Sequence, residues 1–119
     1  MASAVKRKLS GSTDGRGIKV AATATPGTTI HTAIAGTTAG SFDEIWIYAF
    51  NSHTADILLT IEFGGTSAPD DNVSLVIPIQ SGAVLVIPGW ILQNTTVVKA
   101  FAGTANKIVL FGFVNQVKD

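Results

Sequence analysis

The sequence predicts an all-β protein: an antiparallel β-sandwich, jelly-roll-like with about eight strands, preceded by a flexible N-terminal arm. Three observations predict it. From residue 16 onward, β-branched and aromatic runs alternate with Gly, Pro, Asn and Asp, and no stretch repeats its apolar residues at a helical period. The runs recur at roughly the 8–12-residue spacing of sandwiches and barrels. Two of them are apolar on both faces, which suits a mid-sheet strand packed on each side by a second sheet or a neighbouring subunit.

The chain opens with residues that fit no strand. The stretch VKRKLSGSTDGRG, Val5 to Gly17, holds Lys6, Arg7, Lys8 and Arg16, four of the eight basic residues. It lacks periodicity and has a loop-like share of Ser, Gly, Thr and Asp. Residues 1–15 are therefore expected to form a flexible basic arm, with the sandwich domain at 16–119. Weak strands are expected at 17–23 and 28–34. Phe42 to Phe50 is a two-faced strand, with Ile45, Ile47 and Ala49 on one side and Trp46, Tyr48 and Phe50 on the other.

Alternation is clearest from Ala55 to Phe63, where Ala55, Ile57, Leu59, Ile61 and Phe63 share a face opposite Asp56, Thr60 and Glu62; Leu58 breaks the pattern. Gly64-Gly65 closes that run. In 73–79, Val73, Leu75, Ile77 and Ile79 are expected inward. Pro78 has no N–H to give a ladder, so it belongs at an edge, a bulge or a strand end. Further strands are expected at 83–87 and 95–101, and a second two-faced strand at 108–114.

Composition suggests assembly. Of 119 residues, 46% are hydrophobic and only 13% charged, about half the usual share. A small domain so poor in charge is expected to bury apolar surface against other subunits. The net charge is zero but unevenly spread. Residues 1–20 carry five cations against Asp14, whereas 21–119 carry three cations against seven carboxylates. A basic lead-in on an acidic body suits an acidic protein surface or a nucleic acid, although the body has no basic stripe with interleaved aromatics. With no cysteine, disulfides and thiolate metal sites are excluded. The longest apolar run, Ala83 to Leu92, is interrupted by Pro88-Gly89 and is too short for a membrane helix of about 20 residues.

No catalytic or metal motif emerges. His31 and His53 lack metal-ligand spacing, and each has an ordinary placement, mid-strand and in a turn. Asp70-Asp71-Asn72 has no calcium-loop pattern and reads as a solvated turn with Asx hydrogen bonds. Among Asp43, Glu44, Asp56 and Glu62, no pair stands out for glycosidase chemistry. Asp56 and Glu62 lie on one strand roughly 20 Å apart, and an isolated acid on a polar strand face is expected to be solvated. The chain lacks a nucleophile elbow, and its early glycines precede a strand instead of opening a helix. The expectation is a non-enzyme without cofactor or metal. Trp46, Tyr48, Trp90 and Phe101 are expected to pack in the core or between subunits.

Residues 75–117 carry a resemblance. An apolar strand ends at Pro78 and a Ser-Gly turn follows at 81–82. Then come Val84-Leu85-Val86-Ile87-Pro88-Gly89, the run Val97-Val98-Lys99-Ala100-Phe101-Ala102, and a last strand ending Gly112-Phe113-Val114-Asn115. This pattern resembles the capsid decoration, or cement, proteins of tailed bacteriophages. The resemblance implies a structural virion protein on the outer capsid surface, assembled in the host cytoplasm. It would be a homo-oligomer, a trimer ahead of a dimer, bracing subunits of the major capsid protein. Lys6, Arg7, Lys8 and Arg16 are then expected to touch the capsid, with no nucleic-acid or membrane partner. The alternative is a carbohydrate- or receptor-binding sandwich of fibre or knob type, using exposed aromatics.

Overall fold

The computed structural model describes residues 2–80 and 82–119. Among these, regular structure is entirely β. The strands are β1 (Ser3–Lys8), β2 (Ile18–Lys19), β3 (Thr28–Thr32), β4 (Phe42–Asn51), β5 (Ile57–Phe63), β6 (Asn72–Ile77), β7 (Val84–Leu92), β8 (Val97–Ala102) and β9 (Ile108–Lys118). They form two antiparallel sheets. The first runs β1-β9-β4-β7, with β2 also paired to β9; the second runs β3-β8-β5-β6.

The pairing is nested. β5 pairs with β6, β4 with β7, β3 with β8, and β1 and β2 with β9, so the chain is a long hairpin rolled into a sandwich. That is a jelly roll, as the sequence predicts. Its core is rich in isoleucine and valine: Ile45 and Ile47 from β4, Leu59 and Ile61 from β5, Ile87 from β7, and Ile108, Leu110 and Val114 from β9 are all fully buried. β-branched side chains suit a pleated surface, and burying each large one contributes roughly 1.5–3 kcal/mol.

The strand ends depart from expectation in instructive ways. β7 runs through Pro88-Gly89 to Leu92 instead of stopping at 87. It is an edge strand, where a missing N–H is tolerated, and register shifts opposite Ile45/Trp46 and Ile47/Tyr48 accommodate the irregularity. Gly89 takes φ +79° at the first shift, a conformation that costs glycine little. β6 stops at Ile77, which leaves Pro78 just beyond the strand end. Ile79, expected inward, is about half exposed.

The largest difference concerns the N-terminus. Residues 1–15 do not behave as a free arm over their described length. Ser3–Lys8 are hydrogen-bonded to β9 in register from Ser3 opposite Lys118 to Lys8 opposite Phe113. Leu9 then enters the core at 1% exposure. Gly11 N–H donates to Ile30 O, and Ser12 N–H to Leu9 O. All six β1 side chains are exposed, so its order comes from backbone pairing, which leaves no hydropathy pattern to read.

Candidate interaction surface

Sheet alternation sends every second residue of β4 away from the core. Phe42, Glu44, Trp46, Tyr48 and Phe50 lie half-buried on the outer face, while their neighbours are buried beneath. β9 supplies the facing row, pairing Trp46 with Phe113 and Tyr48 with Phe111. The Trp46 and Phe113 rings stack at 6.3 Å and 15°. Gly112 makes this pairing possible, because a Cβ there would fall on the Trp46 carbonyl oxygen. The face is aromatic, and β4 and β9 are apolar on both sides as expected. Only their inner side meets the second sheet.

One carboxylate is built into this face. Glu44 Oε1 accepts hydrogen bonds from Trp46 Nε1 at 2.8 Å and from Asn115 Nδ2 at 3.0 Å. Together, the Trp46 bond foremost, they hold its carboxyl below the ordinary glutamate pKa.

A cationic edge borders the face. Lys6, Arg7 and Lys8 on β1, with Arg16 and Lys19 about β2, are all exposed. Lys6 Nζ sits 4.7 Å above the Phe113 ring, a cation–π contact, and Lys8 Nζ donates to Ser12 O. Among the described residues no Lys or Arg makes a salt bridge, the one basic–acidic contact being His31–Asp43, so none of these five cations has a carboxylate partner. Between β1 and β2 the edge of β9 opens into a groove of about 670 Å³, lined by Arg16, Lys19, Thr13, Val109 and Phe111 with neighbouring glycines.

The aromatic residues singled out by sequence are dispersed. None of Trp46, Tyr48, Trp90 and Phe101 belongs to the core cluster, which corrects the core half of that expectation. Trp46 and Tyr48 are on the outer face. Phe101 is half-buried on the outer side of β8. Trp90 is 42% exposed and meets Phe63 edge-on at 5.7 Å.

Sequence reasoning missed two buried polar centres. Glu62, expected on a solvated face, is fully buried, accepting from Thr25 Oγ1 and Gly27 N–H at 2.6 Å each. Its signal was weak: a lone acid between isoleucine and phenylalanine. Asp43 is buried beside His31, joining β3 and β4 across the two sheets. His31 Nδ1 is occupied by the Ser10 backbone N–H, so this pair has no free base and no nucleophile on it. Asp71 Oδ2 accepts from Ser67 N–H four residues earlier, which ties the turn back on itself in place of the expected Asx hydrogen bonds to following N–H groups. Among the described residues no three His, Asp or Glu side chains converge to hold a metal ion.

The arrangement offers three surfaces: an aromatic sheet face, a basic strand edge beside it and a groove where the two meet. No known protein family, curated protein or solved structure matches this chain.

Proposed function

We propose that this protein is a structural virion component, a decoration protein that binds the outer surface of a bacteriophage capsid as an oligomer and braces its major capsid protein. The observation that carries the reading is the outer face of β4 and β9, rich in half-buried aromatics and, among the described residues, turned away from the second sheet. Burying such a face against further copies removes apolar surface from water at about 25 cal/mol per Å². It suits a trimer ahead of a dimer, since a trimer gathers three basic edges on one particle-facing side. Each edge alone binds weakly, and three act together through effective concentration. A jelly roll serves capsid and lectin proteins alike, so the fold alone does not choose between them.

The test is location. In particles produced from a genome carrying this gene, gold-labelled antibody should mark the outer head. Label on the tail tip, or none on intact particles, would overturn the reading.

A second reading has its own observation. Trp46, Tyr48, Phe111 and Phe113 form a flat, outward-facing aromatic platform, and sugars stack on such surfaces. Glycan titration followed by Trp46 emission in a Trp90→Phe variant separates the two, because a platform buried between subunits gives no response.

A further inference from the structure

We infer that the open edge of β1 is a strand-addition site for an acidic, extended segment of a partner protein. The inference deepens the assembly reading and rests on it only for the setting in which the partner is met.

β1 is the terminal strand of its sheet, paired with β9 on one side only. An antiparallel edge strand turns alternate N–H and C=O groups outward along its free side. What complements that row is another backbone, as in strand augmentation by extended peptides. A nucleic-acid backbone presents acceptors without the alternating donors, and matches it poorly.

Charge selects the kind of strand. Register with β9 places Lys6 opposite Asn115 and Lys8 opposite Phe113, on the aromatic outer face. Arg7 lies opposite buried Val114, on the other face. Both faces of the edge are thus cationic, and none of the three has a carboxylate partner among the described residues. Two copies meeting edge to edge would oppose like charges, so the edge rejects its own kind. A segment carrying Asp or Glu opposite Lys6 and Lys8 gains both the ladder and the cross-strand pairs.

The groove beside β1 extends the same chemistry. Its cations, Arg16 and Lys19, flank the half-exposed Phe111. A segment leaving β1 toward β2 would pass over this groove and meet two further positive charges. The footprint reads as several carboxylates in an extended run with an apolar residue for Phe111.

The experiment uses the whole protein and two peptides of equal charge. One is an octapeptide alternating Glu and Val; the other alternates Glu and Pro. The first should bind, shift the amide resonances of residues 3–8, and weaken at least tenfold between low and moderate salt. The Glu–Pro peptide keeps N–H groups only on Glu, and its rings hold φ at about −65° and crowd the ladder, so it should bind at least tenfold more weakly. Equal binding of the two peptides would overturn strand addition and leave plain charge attraction. A single-stranded oligonucleotide that binds more tightly than the Glu–Val peptide would overturn the assignment to an acidic protein segment. So would self-association that disappears with Lys6→Glu, Arg7→Glu and Lys8→Glu combined.

That triple variant should lose the peptide and keep its thermal transition. Should it fail to fold, the wild-type comparison of the two peptides still decides. The outcomes also separate this inference from the assembly reading. Peptide binding by a protein absent from capsids refutes only the latter. Capsid decoration without peptide binding refutes only the strand-addition site.

Discussion

His31 Nε2 lies 2.6 Å from Asp43 Oδ2 with both side chains buried, and the other ring nitrogen, Nδ1, accepts the Ser10 backbone N–H at 2.9 Å. That acceptor role leaves Nδ1 bare and puts the ring proton on Nε2, where it is donated to Asp43. Gln116 Nε2 donates to the second Asp43 oxygen at 3.0 Å. One histidine thus ties β3, β4, β9 and the segment after β1 together. His31→Ala leaves Asp43 Oδ2 and the Ser10 N–H without partners and should cost about 3 kcal/mol in urea unfolding. A cost below about 1 kcal/mol would mean that water replaces the ring fully.

Leu9 gives a separate test of the N-terminal segment. Since it is buried at 1% exposure, Leu9→Ala should cost about 2–5 kcal/mol. Deleting residues 2–8 removes only exposed side chains and the β1–β9 ladder, whereas deleting 2–15 also removes Leu9 and the Ser10, Gly11 and Ser12 hydrogen bonds. The longer deletion should lower the melting temperature markedly more. Equal effects would show that this segment is not held as described.

Much of this fold was legible because burial writes itself into alternation. Ile45, Ile47 and Ala49, or Leu59 and Ile61, declare an inward face by position alone, and both are buried. β1 could not be read that way. Its side chains are all exposed, and its order lies in backbone hydrogen bonds that any residue but proline can make. Glu62 and the His31–Asp43 pair failed for another reason. Their partners, Gly27, Thr25 and Ser10, arrive from loops or distant strands, and no local pattern marks a carboxylate as buried before its donors are placed. The basic edge was visible as composition, but not as an edge.

Glu62 should behave as a loop anchor. Glu62→Ala leaves the half-buried Gly27 N–H without its partner and should cost about 1–2 kcal/mol. Amide exchange over residues 23–27 should quicken more than elsewhere, because Glu62 holds Thr25 and Gly27. Uniform loss of protection would show a global effect instead.

Glu44 supplies a pH dependence with a definite sign. Hydrogen bonds from Trp46 and Asn115 lower its folded pKa, so the stabilisation they give is present above the unfolded value. It is lost as pH falls through the lower, folded value. In a Trp90→Phe background, Trp46 emission should titrate with a midpoint below that of an ordinary glutamate. Asn115→Ala should move the midpoint up toward it. A midpoint unmoved by that substitution would exclude Asn115 as a cause.

The outer face predicts its own phenotype. Tyr48→Ser with Phe111→Ser removes outward aromatics that lie opposite each other, without touching the buried core. If the chain assembles through this face as proposed, the mass in solution should be an oligomer's for the native protein and a monomer's for the variant, with the thermal transition intact. An oligomer that persists would place the subunit contact elsewhere.

Nesting of the strand pairs also sets the order in which the molecule can come together. β5 and β6 are consecutive and can meet early, while β1 and the second edge of β4 must both wait for β9, translated after every other strand. Ser3 finds Lys118 only after most of the chain has passed between them. Contacts this remote in sequence make folding slow, on the order of milliseconds to seconds. Throughout that interval β4 can pair only with β7, and its other edge and the aromatic row beside it lack the β9 neighbour. Synthesis of this protein thus passes through a stage in which its stickiest strand is exposed, and expression yield should depend on chaperone capacity more than on the stability of the finished fold.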